Sequence, residues 1–179
     1  MIYMFLAEGF EEVEALAPLD LIRRAGLEIK TVGVGSKVIV GSHGIPVTAD
    51  ITADELSDNA PEMIILPGGM PGTKNLDASD IVHKAIADAV KNDAYLCAIC
   101  AAPMILGKLG LVRGKNAVCY PGFEEYLDGA IIPNKKVVRD GKIITAKGMG
   151  AAIEFGLAIV SALKDEKTAE ALAVATISK

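Results

Sequence analysis

The chain has 179 residues, of which 51% are hydrophobic, and its formal net charge at pH 7 is −5. This length suits a single domain, residues 1–179, that buries a core without disulfides or a structural metal. The negative charge disfavours nucleic acid as a partner, because phosphate binding needs a basic surface. The longest uncharged apolar stretch, Ala94–Gly107, is shorter than the ~20 residues of a membrane-spanning helix and contains Pro103.

The cysteines and the first residues indicate a cytoplasmic protein. The chain has 3 cysteines, and an odd number does not suit a disulfide framework. Met1–Ala7 has no basic leader and no cleavage pattern, so we expect a buried strand there. We therefore expect reduced thiols in a cytoplasmic protein that does not cross a membrane.

Apolar strands and helices alternate along the chain. The predicted strands are Tyr3–Ala7, Glu28–Val34, Lys37–Val40, Pro46–Ala49, Met63–Leu66, Tyr95–Ile99 and Asn116–Cys119. The predicted helices are Glu11–Ala25, Ser79–Lys91, Pro103–Leu109, Gly150–Leu163 and Glu166–Ala175. Because Pro18 cannot donate to the carbonyl of Glu14, we expect either a kink or a helix that starts at Pro18.

The order of these elements predicts the fold class. Val137–Ala146 reads as a β-hairpin with Asp140-Gly141 in a type I′ turn. Buried apolar strands separated by helices are typical of a mostly parallel sheet with helices on both faces. The sequence therefore predicts a three-layer α/β sandwich with an added β-hairpin.

Cys100 is the strongest candidate for a reactive side chain. A buried strand ends at this residue, and Pro103 follows in the first turn of a helix, as in a nucleophile elbow. Partial positive charge at a helix N-terminus favours the thiolate, which is the reactive form of cysteine. The alternative is a small buried core cysteine, and the spacing alone favours neither interpretation.

Cys97 forms a C-x-x-C pair with Cys100, but it lies back in the strand and points to the other face. We expect Cys97 to be a core residue. Zinc needs about four ligands with paired spacing, and Cys119, His43 and His83 form no second pair. We expect no metal and no cofactor, since the phosphate-binding glycine patterns are also missing.

Two further features fall in loops at the same end of the predicted sheet. Gly68-Gly69 follows a buried strand, where glycine lets backbone N–H groups approach a developing negative charge. Glu14 lies among apolar residues of the first helix. A half-buried carboxyl tends to stay protonated and can donate a hydrogen bond to a thiolate.

Five motifs together resemble the ThiJ/PfpI superfamily, and more narrowly its DJ-one-like branch. They are Glu8-Gly9-Phe10-Glu11-Glu12-Val13-Glu14, Pro18-Leu19-Asp20 with Arg23-Arg24-Ala25-Gly26, Leu66-Pro67-Gly68-Gly69, Ala98-Ile99-Cys100-Ala101-Ala102-Pro103, and the tail from Glu154-Phe155 to Ala162-Leu163. The match covers essentially the whole chain. It implies a flavodoxin-like fold and a homodimer.

The resemblance also implies roles for individual residues. Cys100 is the expected nucleophile and oxidation site, and Glu14 is the protonated carboxyl beside it. Backbone N–H groups at Gly68, Gly69 and Ala101 are expected to stabilise an oxyanion. The substrate pocket is expected to include Arg24, His43 and Tyr120.

The chain departs from the family at two positions. Tyr120 stands before Pro121, where many members place a histidine, and Ala101 follows the cysteine, where the protease-like branch has a histidine. Neither cysteine–histidine pair can form, which argues against a cysteine peptidase or amidase, because that chemistry needs an acid for the leaving amine.

Two functions from different classes stay open. The first is a cysteine-dependent enzyme that acts on small reactive carbonyl compounds, as a glutathione-independent glyoxalase or deglycase, in stress protection. Such chemistry requires only a nucleophile and one base, so the missing histidine is compatible with it. The alternative is a redox-responsive protein with little turnover, in which Cys100 is oxidised to sulfinic acid.

Overall fold

The computed structural model describes residues 1–57 and 59–178. Its strands are β1 (Ile2–Leu6), β2 (Ile29–Gly33), β3 (Val38–Val40), β4 (Pro46–Thr48), β5 (Ile51–Thr52), β6 (Met63–Leu66), β7 (Tyr95–Ile99), β8 (Val137–Asp140) and β9 (Ile143–Ala146). Its helices are α1 (Glu12–Arg24), α2 (Gly72–Asp77), α3 (Asp80–Lys91), α4 (Pro103–Lys108), α5 (Ala152–Leu163) and α6 (Glu166–Ala175). Within those residues, no helix combines the length and apolarity needed to span a bilayer.

The central sheet has the strand order β5-β2-β1-β6-β7-β9-β8. Neighbouring strands are parallel, except that β8 pairs antiparallel with β9 at one edge. Successive side chains of a strand point to opposite faces. Accordingly, Tyr3 and Phe5 pack with α2, α3 and α4, whereas Ile2 and Met4 pack with α1, α5 and α6. The predicted mostly parallel three-layer α/β sandwich is confirmed.

The predicted strand Asn116–Cys119 is wrong. Asn116 forms an isolated bridge with Ile131, not a ladder. The N–H of Val118 donates to Oγ1 of Thr145 at 2.9 Å, so a side chain satisfies this part of the backbone. The place beside β7 is taken by β9, which pairs with it over four residues from Leu96 to Ile99.

The hairpin of β8 and β9 is confirmed, but its predicted turn type is wrong. Asp140 pairs with Ile143, so the two loop residues are Gly141 and Lys142. Gly141 has a φ of +60°, and Lys142 has no positive φ. A type I′ turn needs positive φ at both loop residues, whereas positive φ at the first alone suits type II′.

Helix α1 runs through Pro18 as one helix, so the expectation of a separate helix starting there is wrong. At this point α1 crosses α5. A Cβ atom on Gly156 would lie 2.9 Å from Cα of Pro18 and 2.8 Å from Cδ1 of Leu21. The missing side chain of Gly156 therefore lets α5 hold α1 against the sheet, which fixes the position of Glu14.

We expect Gly156→Ala to lower the free energy of unfolding. Overpacking costs about 1–3 kcal/mol, whereas alanine gains about 1 kcal/mol from helix propensity. Urea unfolding of the wild type and the variant measures the difference. Gly150→Ala is the matched control, because a Cβ there meets no atom within 4 Å. A gain of about 1 kcal/mol in Gly156→Ala, the propensity contribution alone, would show that the helices separate without cost.

Candidate active site

The loops after β1, β6 and β7 meet at one edge of the sheet, because these strands are parallel neighbours. The first loop leads into α1 and to Glu14. The second contains Gly68 and Gly69, and the third begins with Cys100. The fold thus brings the cysteine, the carboxyl and the Gly-Gly turn together, although they are far apart in the sequence.

Cys100 lies at the sharp turn between β7 and α4. Its φ is +64°, which is uncommon for a residue with a side chain and costs about 1–3 kcal/mol. Two backbone hydrogen bonds hold this conformation: the N–H of Cys100 donates to the carbonyl of Ala146 at 2.9 Å, and its carbonyl accepts from Tyr120 at 2.8 Å. The turn presents the partly exposed thiol at the mouth of a pocket.

Glu14 is buried directly beside this thiol. Its side chain is hydrogen-bonded to Cys100, and Oε2 accepts the N–H of Gly68 at 3.1 Å. A Cβ atom on Gly68 would lie 2.5 Å from Oε2 of Glu14 and 2.5 Å from Cβ of Cys100. The absence of a side chain at Gly68 therefore allows the carboxyl and the thiol to touch.

The position of Gly68 corrects one expectation. Its N–H is engaged by Glu14, so it does not face the sulfur as an oxyanion donor. The N–H groups of Gly69 and Ala101 do hydrogen-bond to Cys100 and lower the pKa of its thiol. These two groups can stabilise negative charge that develops on an atom bound next to the sulfur.

The pKa of Glu14 is raised from 4.5 to about 7, mainly by burial and to a smaller extent by the nearby charge of Glu11. Hydrogen bonds from Cys100 and from the N–H groups of Gly68 and Met149 oppose this effect. The carboxyl is therefore close to half-protonated at neutral pH. A group with a pKa near 7 can both accept and return a proton, which is what a general acid–base requires.

The pKa of Cys100 is also raised, to about 12, first by burial and then by the charge and the hydrogen bond of Glu14. The expectation that the helix N-terminus favours a free thiolate is therefore wrong for a thiol beside an ionised Glu14. The two groups interact strongly, so they titrate as a pair. Between pH of about 7 and about 12 the pair carries one proton and one negative charge.

A small pocket of about 200 Å³ opens beside Cys100. Its lining is almost entirely apolar, and it is formed by Gly69, Met70, Cys100, Ala101, Tyr120 and Phe123. Met70 and Phe123 were not expected from the sequence, because an apolar residue in a loop carries no chemical signal of its own.

Tyr120 lies in this pocket, with half of its surface exposed. Its ring packs edge-on against Phe123, with centroids 6.4 Å apart and an interplanar angle of 80°. Neither His43 nor His83 belongs to the described lining of the pocket. The described lining thus offers no histidine to pair with Cys100, which agrees with the argument against a peptidase.

Arg24 and His43 were expected in the pocket, but neither belongs to the lining formed by the described residues. Nε of Arg24 forms an exposed ion pair with Asp20 at 2.6 Å, at the far end of α1 from Glu14. His43 lies in the loop between β3 and β4, where Nδ1 is 2.9 Å from Oε2 of Glu12. Within this chain, Arg24 and His43 therefore both contact carboxylates that lie outside the pocket lining.

Glu12 is a residue whose role the sequence did not reveal. It is 4% exposed, and its side chain accepts the N–H of His43 at 2.8 Å. Burial opposes its ionisation, yet hydrogen bonds from His43 and from backbone N–H groups outweigh this and lower the pKa of Glu12 to about 2. Glu12 therefore fastens the β3–β4 loop to the start of α1.

Glu11, Glu12 and His43 each place one possible metal-ligating atom within 4.8 Å of the others. Oγ of Ser42 donates to both carboxylates, at 3.2 Å and 3.3 Å. The hydrogen bonds of Ser42 and His43 to the two carboxylates account for the close approach of these groups.

Comparison with known proteins identifies relatives over nearly the whole chain. The sequence profile of the DJ-1/PfpI family matches residues 1–162. Protein dj-1beta of Drosophila melanogaster is 31% identical over 173 residues, covering 95% of this chain and 92% of that protein. A Caenorhabditis elegans protein named glutathione-independent glyoxalase DJR-1.2 is 29% identical, covering 90% of this chain and 87% of that protein. The chain spans only 38% of Arabidopsis thaliana DJ-1 homolog B, at 35% identity.

Solved structures with the same fold come from several organisms. Oxidised Toxoplasma gondii DJ-1 superposes with a TM-score of 0.94 at 29% identity, covering 98% of this chain and 97% of that one. A DJ-1 superfamily protein from Salmonella typhimurium has a TM-score of 0.92 at 31% identity, with coverage of 98% and 97%.

The raised pKa of Glu14 predicts a pH-dependent stability. Between pH 4.5 and about 7 the folded protein retains a proton that the unfolded chain has lost, so the free energy of unfolding falls as pH rises. Glu14→Gln removes this titration. We expect the free energy of unfolding of the variant minus that of the wild type to increase from pH 5 to pH 8, by at most about 3 kcal/mol. Urea unfolding at both pH values tests this, and an identical difference at both would show an ordinary pKa.

Proposed function

This chain belongs to the DJ-1/PfpI family, and on that premise we propose that it is a cysteine-dependent enzyme acting on small reactive carbonyl compounds. The activity is of the glutathione-independent glyoxalase or deglycase type. The observation that carries the proposal is the contact of buried Glu14 with the partly exposed Cys100 at an open apolar pocket. The glyoxalase name of the Caenorhabditis elegans relative supports it.

The first step joins Cys100 to the aldehyde carbon of a 2-oxoaldehyde. When the proton of the pair rests on Glu14, the sulfur is a thiolate and can form the S–C bond. The electron pair of the carbonyl bond moves to the oxygen, where the N–H groups of Gly69 and Ala101 stabilise it. Glu14 then gives its proton to this oxygen, which completes a hemithioacetal.

The second step moves a hydrogen between the two carbons of the substrate. The ionised Glu14 takes the hydrogen of the first carbon as a proton and returns it to the second carbon. The hydroxyl proton passes from the first oxygen to the second. The first carbon is oxidised to a thioester and the second is reduced to an alcohol, so no external oxidant or reductant is needed.

Water completes the cycle. Glu14 takes a proton from a water molecule as its oxygen attacks the thioester carbon, and the S–C bond breaks with the sulfur leaving as thiolate. The product is a 2-hydroxy acid, and the pair is again a thiolate beside a protonated carboxyl. Adducts of 2-oxoaldehydes with thiols or amines would react by the same route after losing the thiol or amine.

We also propose that the protein is a cytoplasmic homodimer. The free thiols of its three described cysteines suit a reducing compartment. Val13 at the start of α1, Met149 just before α5 and Ile153 at the start of α5 are exposed apolar residues, with exposed fractions of 43%, 56% and 44%. A second copy covering this part of the α1–α5 pair would remove them from water.

Lactate formation from methylglyoxal without glutathione tests the proposed enzyme. We expect Cys100→Ser to abolish turnover and Glu14→Gln to lower kcat at least about 100-fold, the usual contribution of a general acid–base. Cys97→Ala is the matched control and should keep turnover, because Cys97 is a core residue. Full activity in Cys100→Ser would overturn the proposal. Full activity in Glu14→Gln alone would move the proton transfer to another group.

The surroundings of the three cysteines support a second candidate function, a redox-responsive protein with little turnover. Cys97 and Cys119 are buried, and burial raises the pKa of Cys119 to about 11. Cys100 is partly exposed, and the protonated Glu14 can donate a hydrogen bond to a sulfinate oxygen. Oxidation to sulfinic acid needs no histidine, so Tyr120 presents no obstacle.

Mild peroxide followed by mass spectrometry tests this second function. We expect tandem mass spectra to place two added oxygen atoms on Cys100 and little change on Cys97 or Cys119, because only Cys100 is partly exposed. Glu14→Gln should shift the product away from the sulfinic acid. Equal oxidation of all three cysteines would rule out a specialised redox role for Cys100.

A further inference from the structure

We propose that the pocket beside Cys100 selects carbonyl compounds whose substituent is neutral and apolar, with Tyr120 and Phe123 as the specificity-determining residues. The substrate class rests on the proposed function. The selectivity itself is a property of the pocket, and it can be measured without turnover.

The lining of the pocket has the chemistry of an apolar binding surface. The part of the lining that the structure describes contains no aspartate, glutamate, lysine, arginine or histidine. Half of the Tyr120 surface is exposed, and so is 38% of Met70. An apolar substituent that covers these side chains removes water from both partners, whereas a hydroxyl there loses water without gaining a partner.

The Tyr120 ring is held next to the reacting groups. Its backbone N–H donates to the carbonyl of Cys100, which ties the aromatic residue to the elbow. A Cβ atom on Gly148 would lie 3.4 Å from Cδ2 of Tyr120 and 3.8 Å from Oε1 of Glu14. The ring of Tyr120 and the carboxyl of Glu14 therefore both lie next to Gly148. Phe123 packs edge-on with this ring.

This arrangement determines where the substituent lies. The aldehyde carbon is on the sulfur of Cys100, and its oxygen faces the N–H groups of Gly69 and Ala101. The second carbon must lie close to Glu14, because Glu14 delivers the proton to this carbon. The substituent on the second carbon consequently meets the ring of Tyr120. The volume of about 200 Å³ is below the ~300 Å³ of pockets for drug-sized ligands, so it suits an alkyl chain or one aryl ring.

Alkylation of Cys100 measures this selectivity without catalysis. Iodoacetamide and iodoacetanilide react alike, because the thiolate displaces iodide to form an S–C bond, but only the second carries a phenyl ring. We expect wild type to favour iodoacetanilide, and we expect Tyr120→Ala to lower the ratio of the two rate constants about tenfold, the upper range of one aromatic contact. Tyr120→Phe should keep the ratio, because the ring and not the hydroxyl forms the contact.

Turnover provides the second measurement. Hydroxypyruvaldehyde and 2-oxobutanal have substituents of similar size, one with a hydroxyl and one with a methyl group. We expect kcat/KM to favour 2-oxobutanal about tenfold and phenylglyoxal to exceed glyoxal, which has no substituent. Phe123→Ala should lower the ratio of phenylglyoxal to glyoxal, and Tyr120→Ala should lower it further.

The outcomes separate the two proposals. A preference for iodoacetanilide that depends on the Tyr120 ring, without any turnover, would support the apolar pocket and overturn the proposed enzyme. Turnover of all the aldehydes with equal kcat/KM, and equal alkylation by both reagents, would overturn the selectivity and leave the enzyme standing. An alkylation ratio that survives Tyr120→Ala would show that the ring does not determine specificity.

Discussion

A carboxyl and a thiol share a proton in the interior of this protein because Gly68 has no side chain to keep them apart. The rest of the site depends on this contact. It needs β6 and β7 side by side, the strained turn at Cys100, and α1 held against the sheet by the close crossing at Gly156. Burial raises the pKa of Glu14, and this shift makes the carboxyl suitable for accepting and returning protons near neutral pH.

The pKa values of two acidic residues on the first turn of α1 are shifted in opposite directions, and the reason is the number of hydrogen-bond donors around each carboxyl. Burial opposes the ionisation of Glu12, but its pKa is lowered to about 2 by four hydrogen bonds, to the ring of His43 and to the backbone N–H groups of Glu12, His43 and Ile45. The pKa of Glu14 is lowered by three, to the thiol of Cys100 and to the N–H groups of Gly68 and Met149, and they do not offset burial and the nearby charge of Glu11. Glu12 is consequently a fixed charge that fastens a loop, whereas Glu14 is a titrating group at the site.

The departure from the family at Tyr120 changes the character of the pocket without disturbing the reacting pair. The backbone of Tyr120 supports the elbow whatever its side chain is, since the bond to Cys100 uses the main-chain N–H. The side chain then adds an apolar wall with Phe123 where a histidine would add a donor and a charge. In the proposed enzyme, Cys100 and Glu14 therefore carry the reaction, whereas the side chains of Tyr120 and Phe123 determine the specificity.

Local patterns were enough to predict the layered sheet, every helix except α2, and the sharp turn at Cys100, because burial of alternate side chains and the Cys100–Pro103 spacing are local properties. The strand predicted at Asn116–Cys119 failed because a competing strand, β9, pairs with β7, and no local pattern reports that competition. Only the tertiary structure decided three features: the raised pKa of the Cys100 thiol, the hydrogen bond from the Gly68 N–H to Glu14, and the burial of Glu12. Each depends on which distant groups lie within hydrogen-bonding distance, and the chain order does not contain those distances.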